Sequence, residues 1–523
     1  MKFIVLLFLT LVLFSCNNEK RILAKDKSIF DLCSKKCNVI LISIDSLRRD
    51  HLGAYGYPRN TSPNIDSFAK DSWLFKNYFS TDYLTPVSER SVHTGLFPDR
   101  NYTKEFKKTP PQTLGDILNS NGYTSAAIGN SPEFQMVVEY RELFKKAFGN
   151  HFHIPKTRMW NNRQFNWNII NDFVNKNKDH PLFLWFPLGS VHAPFGYKLP
   201  NKFADENYRG AFYGIHYFAN MQYYYDNYVY DPKLPGHKFN LTFLNNQTHL
   251  ISSKVTGKFP KKVNQIDFNF LNDIYDNGVS QVDYEVGEII KILKNNNLYN
   301  DTIIILQSEH GETLGERKYI AHTDIHDEMV HVPLIIHFPG VVPKIIEKNF
   351  VSGIDILPTI LDLLNIKFND YKFDGQSIVR VNKKKIETNI TKEEVFHVRM
   401  PLWETTLTVD QKNSIFDQLR EYQISIGHDF KEYAVRNNKN KLIHRRARFA
   451  EMQYSAWTFI SGKRLNIPEF EFFDIVKDPK ELFPIKNEGP VFNILKKRLL
   501  DFEIQVRTNG LKEIPKIELQ DYR

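Results

Sequence analysis

Asn38-Val39-Ile40-Leu41-Ile42-Ser43-Ile44-Asp45 is a near-continuous apolar run, rich in β-branched residues, that stops on a carboxylate. A strand that is apolar at successive positions, rather than at alternate ones, is buried on both faces. Similar runs recur at residues 181–187, 302–306 and 332–338, and amphipathic helical stretches lie among them at 113–121, 283–294 and 354–364. Strands alternating with helices imply an α/β fold: a central, mostly parallel sheet flanked by helices on both faces. In such sheets ligands bind beyond the carboxyl ends of the strands. Three of the runs lead into chemically capable residues there: Asp45, His192 and the pair Glu309-His310.

The chain has 523 residues, of which 42% are hydrophobic, enough for a sizeable core and too many for global disorder. Its net charge of +9 favours an anionic substrate or a membrane surface. That charge is spread along the chain without a long basic block, which argues against a nucleic-acid partner. At the start, Met1-Lys2 precedes an apolar run over 3–14, then Ser15-Cys16 and a polar stretch. A charged start, an apolar region too brief to span a bilayer and a small residue before the cut describe a signal peptide. The cysteine makes residues 1–16 resemble a bacterial lipoprotein signal with Cys16 as the lipidated residue, and 17–36 read as a tether. The expected place is then the bacterial cell envelope, on a membrane through a lipid anchor, with an ordinary secretory signal as the alternative. Cys33 and Cys37 have no further Cys or His at zinc-site spacing, and their pairing is left open.

Residues 37–370 are the expected catalytic domain. They include a Tyr- and Asn-rich insertion near 200–265, whose loops suit substrate access. Residues 371–523, with strand-like pieces at 432–436 and 470–475, read as a smaller C-terminal α+β subdomain.

Cleaving an ester at an anionic sulfur or phosphorus centre needs a cation over the non-bridging oxygens and an activated oxygen nucleophile. Asp45, Glu309 and His310, at strand ends, are candidates to converge on one divalent metal. The imidazole favours zinc or manganese over calcium or magnesium, which prefer oxygen shells.

Residues 44–57 and 61–69 closely resemble the opening segment of sulfatase-family enzymes, within the alkaline phosphatase superfamily. Thr85-Pro86-Val87-Ser88-Glu89-Arg90-Ser91-Val92-His93-Thr94-Gly95 falls where that family carries its nucleophile motif. Residues 308–316 look like its second metal segment, 332–336 follow at the expected place, and 473–481 are similar to its C-terminal signature.

The resemblance implies a metal-dependent hydrolase of sulfate or phosphate-type esters acting outside the cytoplasm. Thr85 would be both nucleophile and metal-site residue, beside Asp45, Glu309 and His310. A typical sulfatase has Cys or Ser there, oxidised to an aldehyde (formylglycine); threonine cannot give that aldehyde but still offers a hydroxyl. The alternative for Thr85 is a helix N-cap. His192 and His322 stand where relatives contact the substrate or leaving group, while Arg90, one position off the usual motif arginine, and His326 are weaker substrate-binding candidates.

Three departures bear on the chemistry. Asp45-Ser46 replaces a pair of acids, Glu309 stands where relatives use Asp, and Gly129-Asn130-Ser131 lacks the basic pair that would grip sulfate. The first and third, together with Thr85, tilt the substrate from sulfur towards phosphorus: an anionic ester, free or carried on a glycan or lipid. The stretch 312–316 also resembles phosphoethanolamine transferases, so a transferase is one alternative and a degenerate, non-catalytic binding protein the other.

Overall fold

The computed structural model describes residues 37–101, 109–131, 138–154, 166–192, 202–209, 264–316, 320–321, 325–382, 385–399, 432–445, 468–486 and 489–507. Cys16, the tether, most of the insertion and His322 lie outside the described residues. No helix among the described residues is long and apolar enough to cross a membrane.

The main sheet has nine strands. They are β1 (Asn38–Ile44), β2 (Trp73–Phe79), β3 (Thr124–Ile128), β4 (Phe152–His153), β5 (Leu182–Leu188), β6 (Thr302–Ser308), β9 (His331–His337), β10 (Lys344–Ile346) and β11 (Val351–Ser352). Between β6 and β9 runs a small hairpin, β7 (Thr313–Leu314) with β8 (Ile320–Ala321). The spatial order is β10-β2-β9-β6-β1-β5-β3-β4, with β11 beside β2. Only β9 runs against its neighbours, β2 and β6, among the described residues; the other pairings are parallel. All four apolar runs read as strands are strands. The connecting strand β2 was less legible, because Lys76-Asn77 interrupts its apolar pattern where its pairing with β9 shifts register.

β1 is central, and its two faces feed two cores. Val39 and Leu41 point into one, with α2 (Thr85–Thr94), α3 (Leu114–Ser120), α4 (Val138–Phe148) and α7 (Ile356–Leu363). Ile40, Ile42 and Ile44 point into the other, with α1 (Pro63–Lys70), α5 (Trp167–Asn177) and α6 (Gln265–Asn295). This is the period-2 alternation of a strand with an apolar layer on each side. The amphipathic stretch read at 283–294 is the last part of α6, whose N-cap is Asn264. That side chain accepts from the backbone N–H groups of Ile266 and Asp267, and Asp267 returns the bond as a capping box.

The smaller C-terminal part is an antiparallel sheet, β14 (Val395–Arg399), β15 (Glu432–Arg436), β16 (Asn440–Arg445) and β17 (Phe470–Asp474), covered by α8 (Pro490–Arg507). A hairpin of β12 (Val379–Asn382) and β13 (Lys385–Thr388) precedes it. Tyr433, Val435, Leu442, Phe492, Leu499 and Phe502 join the same apolar cluster as Leu41 and Trp185, so this sheet is bound to the main one through a shared core. Cys37, buried at the entrance to β1, is disulfide-bonded, and its partner lies outside the described residues.

A polar seam also links the two sheets. Asp327 lies 2.9 Å from both Arg436 Nε and Lys441 Nζ; burial alone would push its carboxyl up, but these cations outweigh that cost and hold it well below the usual range. His331 stacks on Phe79 with ring centroids 4.2 Å apart and donates from Nε2 to Lys76 O; His397 donates from Nδ1 to Ser80 O. Burial pushes both imidazoles from 6.5 down to about 3, so both stay neutral in the fold. The unfolded chain protonates them below about 6.5 while the folded chain does not, so stability is present above that pH and falls as pH drops towards 3. Chemical denaturation from pH 7 to 4 is expected to show this loss, with a shallower slope in His397→Gln.

Candidate metal centre and nucleophile

The parallel register brings the ends of β1, β5 and β6 to one edge, pairing Ile44 with both Leu188 and Ser308. The backbone N–H of Asp45 donates to Leu188 O at 2.8 Å, so the first acid is fixed to the end of β5. Ser308 ties the other flank: its Oγ lies 2.7 Å from Ile44 O and 2.6 Å from His310 O, and accepts from Leu47 N–H. Ser46 turns the chain here with φ +62°, its carbonyl accepting from the Tyr275 hydroxyl at 2.6 Å. Ser46 does not replace the missing second acid; its hydroxyl donates to Asp45 Oδ1 at 3.0 Å and orients the carboxylate that remains.

Asp45, Glu309 and His310 are buried, and one ligand atom from each lies within 4.8 Å of the others. Glu309 therefore reaches the same point as its neighbours despite the extra methylene. The His310 ring is oriented for ligation. Its Nδ1 sits 2.9 Å from Gly311 O, which only accepts, so the proton belongs on Nδ1 and Nε2 presents its lone pair to the acids. Two carboxylates and an imidazole lone pair, converging in a buried space, repel one another unless a cation lies between them. The donor set thus fits a divalent ion.

Thr85 is the first residue of α2, and the cap position belongs to Leu84, which makes no side-chain cap bond. The N-cap alternative is therefore set aside. The Thr85 hydroxyl donates to His310 Nε2 at 2.9 Å and lies 3.4 Å from Asp45 Oδ1. Sequence reasoning placed these four residues together, and the structure brings them together.

The other candidates separate. His192 lies four residues beyond β5, half-buried at the same edge, its N–H donating to Gly189 O. Arg90 is five residues after Thr85, about 140° around the helix. Its guanidinium donates from Nε to Asn101 Oδ1 at 3.3 Å. His326 faces the seam with the C-terminal sheet, 2.5 Å from Glu481 through Nδ1.

Several supporting residues escaped the sequence reading. Asn130, in the segment without the basic pair, is buried and donates to Ser190 Oγ and Glu285 Oε1; its own carbonyl oxygen accepts from Gly189 N–H at 2.8 Å. It therefore braces the loop that leads to His192. Arg48 ties the loop after β1 to the second metal segment. Despite a burial cost, pairing with Asp50 and Glu316 raises its pKa further, and it also donates to Glu312 O. Buried charged residues are rare unless paired, but a single sequence does not show their partners.

Residues 37–366 match the family model described as Sulfatase. An ulvan-active sulfatase from Formosa agariphila is 22% identical over 92% of this chain and 76% of its own length. Mouse (Mus musculus) arylsulfatase K is 24% identical over 70% of this chain, which spans 66% of that protein's length. The crystal structure of phosphonate monoester hydrolase from Agrobacterium radiobacter shares the fold, with a TM-score of 0.60 at 19% identity over 90% of this chain and 96% of that one. With more than half its length matched by the family model and its strand-end donors gathered at one edge of the sheet, the chain belongs to the sulfatase family.

Proposed function

We propose that this protein is a metal-dependent hydrolase of a sulfate- or phosphate-type ester that uses Thr85 directly as nucleophile. The observation that carries the reading is the direction of the Thr85 hydroxyl, 2.9 Å from His310 Nε2 and turned away from any capping bond. Asp45, Glu309 and His310 would hold the ion, with the imidazole favouring zinc or manganese. Once bound, the ion would neutralise the anionic oxygens of the substrate and favour the threonine alkoxide. Thr85 Oγ1 would lose its proton to solvent and form the new bond to phosphorus or sulfur. The bond to the leaving oxygen breaks, and His322 supplies that oxygen with a proton. Water then cleaves the threonyl ester, while His192 steadies the transferred group. Cys16 would carry the lipid that keeps the enzyme outside the cytoplasm.

Phosphorus is preferred over sulfur because Thr85 cannot form the aldehyde and Asn130 is committed to Ser190 and Glu285. A sulfated glycan is the second reading. It is favoured by the similarity to an ulvan-active sulfatase, which extends over 92% of the chain. Aryl sulfate, phosphate monoester and phosphodiester probes separate the two when assayed with zinc, manganese, calcium and magnesium. Thr85→Ala is expected to lower metal-dependent turnover by about a thousandfold or more; unchanged turnover would sink the nucleophile assignment. A product that appears only with an added alcohol acceptor would favour a transferase. Absence of stoichiometric metal would favour a binding protein.

The ion is tested apart from activity. Zinc should raise the melting temperature of the wild type and leave that of His310→Ala unchanged. Gly311→Ala should lower the melting temperature of the metal-free protein, because a Cβ there would lie 2.0 Å from Glu328 O, against the segment that holds Gly311 N–H. Overpacking of this kind typically costs about 1–3 kcal/mol.

A further inference from the structure

Helix α2 meets the sheet at two levels. Thr85 faces Asp45 and His310 at the upper one. Glu89, one helical turn later on the same side, is fully buried at the lower one. Ser43 Oγ donates to Glu89 Oε1 at 2.6 Å, and Gln307 Nε2 donates to Oε2 at 3.1 Å. Ser43 and Gln307 are register partners on β1 and β6, each two residues before a metal donor. Four helical residues rise about 6.0 Å and two strand residues about 6.7 Å, so the two levels are nearly commensurate.

The donor directions at the lower level are fixed. Ser43 Oγ accepts from Trp185 Nε1 and from Gln307 Nε2, both at 3.1 Å, which leaves its own hydrogen for Glu89. Gln307 Nε2 uses its hydrogens on Ser43 and Glu89, while its Oε1 accepts from the Tyr78 hydroxyl at 3.1 Å. His93 Nε2 lies 3.4 Å from Glu89 Oε1, its ring held edge-on against Phe144 and Trp185. With the donors of Ser43, Gln307, Trp185 and Tyr78 all assigned, the bonds to Glu89 restrict the rotation and height of the helix. An apolar residue would fill the same space at a lower desolvation cost, but it would not set that direction.

We propose that Glu89 is a positioning residue for ester cleavage: anchored to Ser43 and Gln307, it sets the first turn of α2 so that the Thr85 hydroxyl faces Asp45, Glu309 and His310. The proposal rests on Thr85 as the nucleophile. It is tested with Glu89→Gln, Glu89→Ala, Thr85→Ala and the double variant Glu89→Gln/Thr85→Ala. Each is assayed with p-nitrophenyl sulfate and bis(p-nitrophenyl) phosphate, and crystals of zinc-loaded wild type and Glu89→Gln are compared. Misplacing the attacking oxygen by about 1 Å should lower kcat of Glu89→Gln roughly a hundredfold. KM and zinc stoichiometry should stay within about twofold of wild type. The double variant should lose no more than Thr85→Ala alone, because residues acting through one another are not additive. In the Glu89→Gln crystal, Thr85 Oγ1 should have left hydrogen-bonding distance of His310 Nε2 with the sheet unchanged.

An unchanged kcat, an equal loss in both backgrounds, or a Thr85 hydroxyl still in place would overturn the proposal. Should neither probe turn over, or Thr85→Ala match wild type, the crystal position of the hydroxyl decides the positioning claim. Failure of the nucleophile reading is then read separately, from Thr85→Ala alone. Should Glu89→Ala fail to fold, the Gln variant carries the test.

Discussion

The parallel pairing of β1 with β5 and β6 is the constraint on which the rest of this protein depends. Its register brings Leu188, Ile44 and Ser308 level, so the residues that follow all emerge at one edge. The first residues beyond those ends are then bonded to one another through Asp45 N–H to Leu188 O and through Ser308 to Ile44 and His310. A slip of one residue would turn Ser43 and Gln307 into the opposite apolar layer and carry Asp45 away from α2.

That layer does an unusual thing beneath the site. Elsewhere it is Val, Leu, Ile and aromatic, but Ser43, Glu89, His93 and Gln307 are placed in its midst, all with no exposed surface. Burying so many polar groups is costly unless each finds a partner, and hydrogen bonds among Ser43, Glu89, Gln307 and Trp185 supply the partners for the first three. The same logic governs the seam with the C-terminal sheet, where Asp327 is met by Arg436 and Lys441. At both places the polar groups add direction to apolar contacts that alone would tolerate sliding.

The C-terminal sheet is a covering layer as well as a separate pattern in the chain. Its strands share one apolar cluster with β1 and β6. Glu481, in the stretch similar to the family's C-terminal signature, meets His326 across the seam and Lys441 on its own side. The resemblance at 473–481 thus has a physical basis, because those residues close the interface behind the second metal segment.

The sequence by itself determined the sheet, because a strand buried on both faces must be apolar at successive positions, and four such runs were visible. It also determined Asp45, Glu309 and His310, since strand ends are where chemistry collects, and the resemblance added Thr85. Helix α2 shows the opposite case. Its ten residues, mostly polar, are all buried, so no periodic apolar face announces it. Glu89 reads in sequence as one more surface acid, and Arg90 as the more promising charge. Only the folded chain reverses that order, because a four-residue step keeps Glu89 under Thr85 while a five-residue step turns Arg90 towards Asn101. Composition tells which groups are polar; the tertiary structure alone decides which of them are enclosed, and an enclosed polar group must have its partner brought to it from elsewhere in the chain.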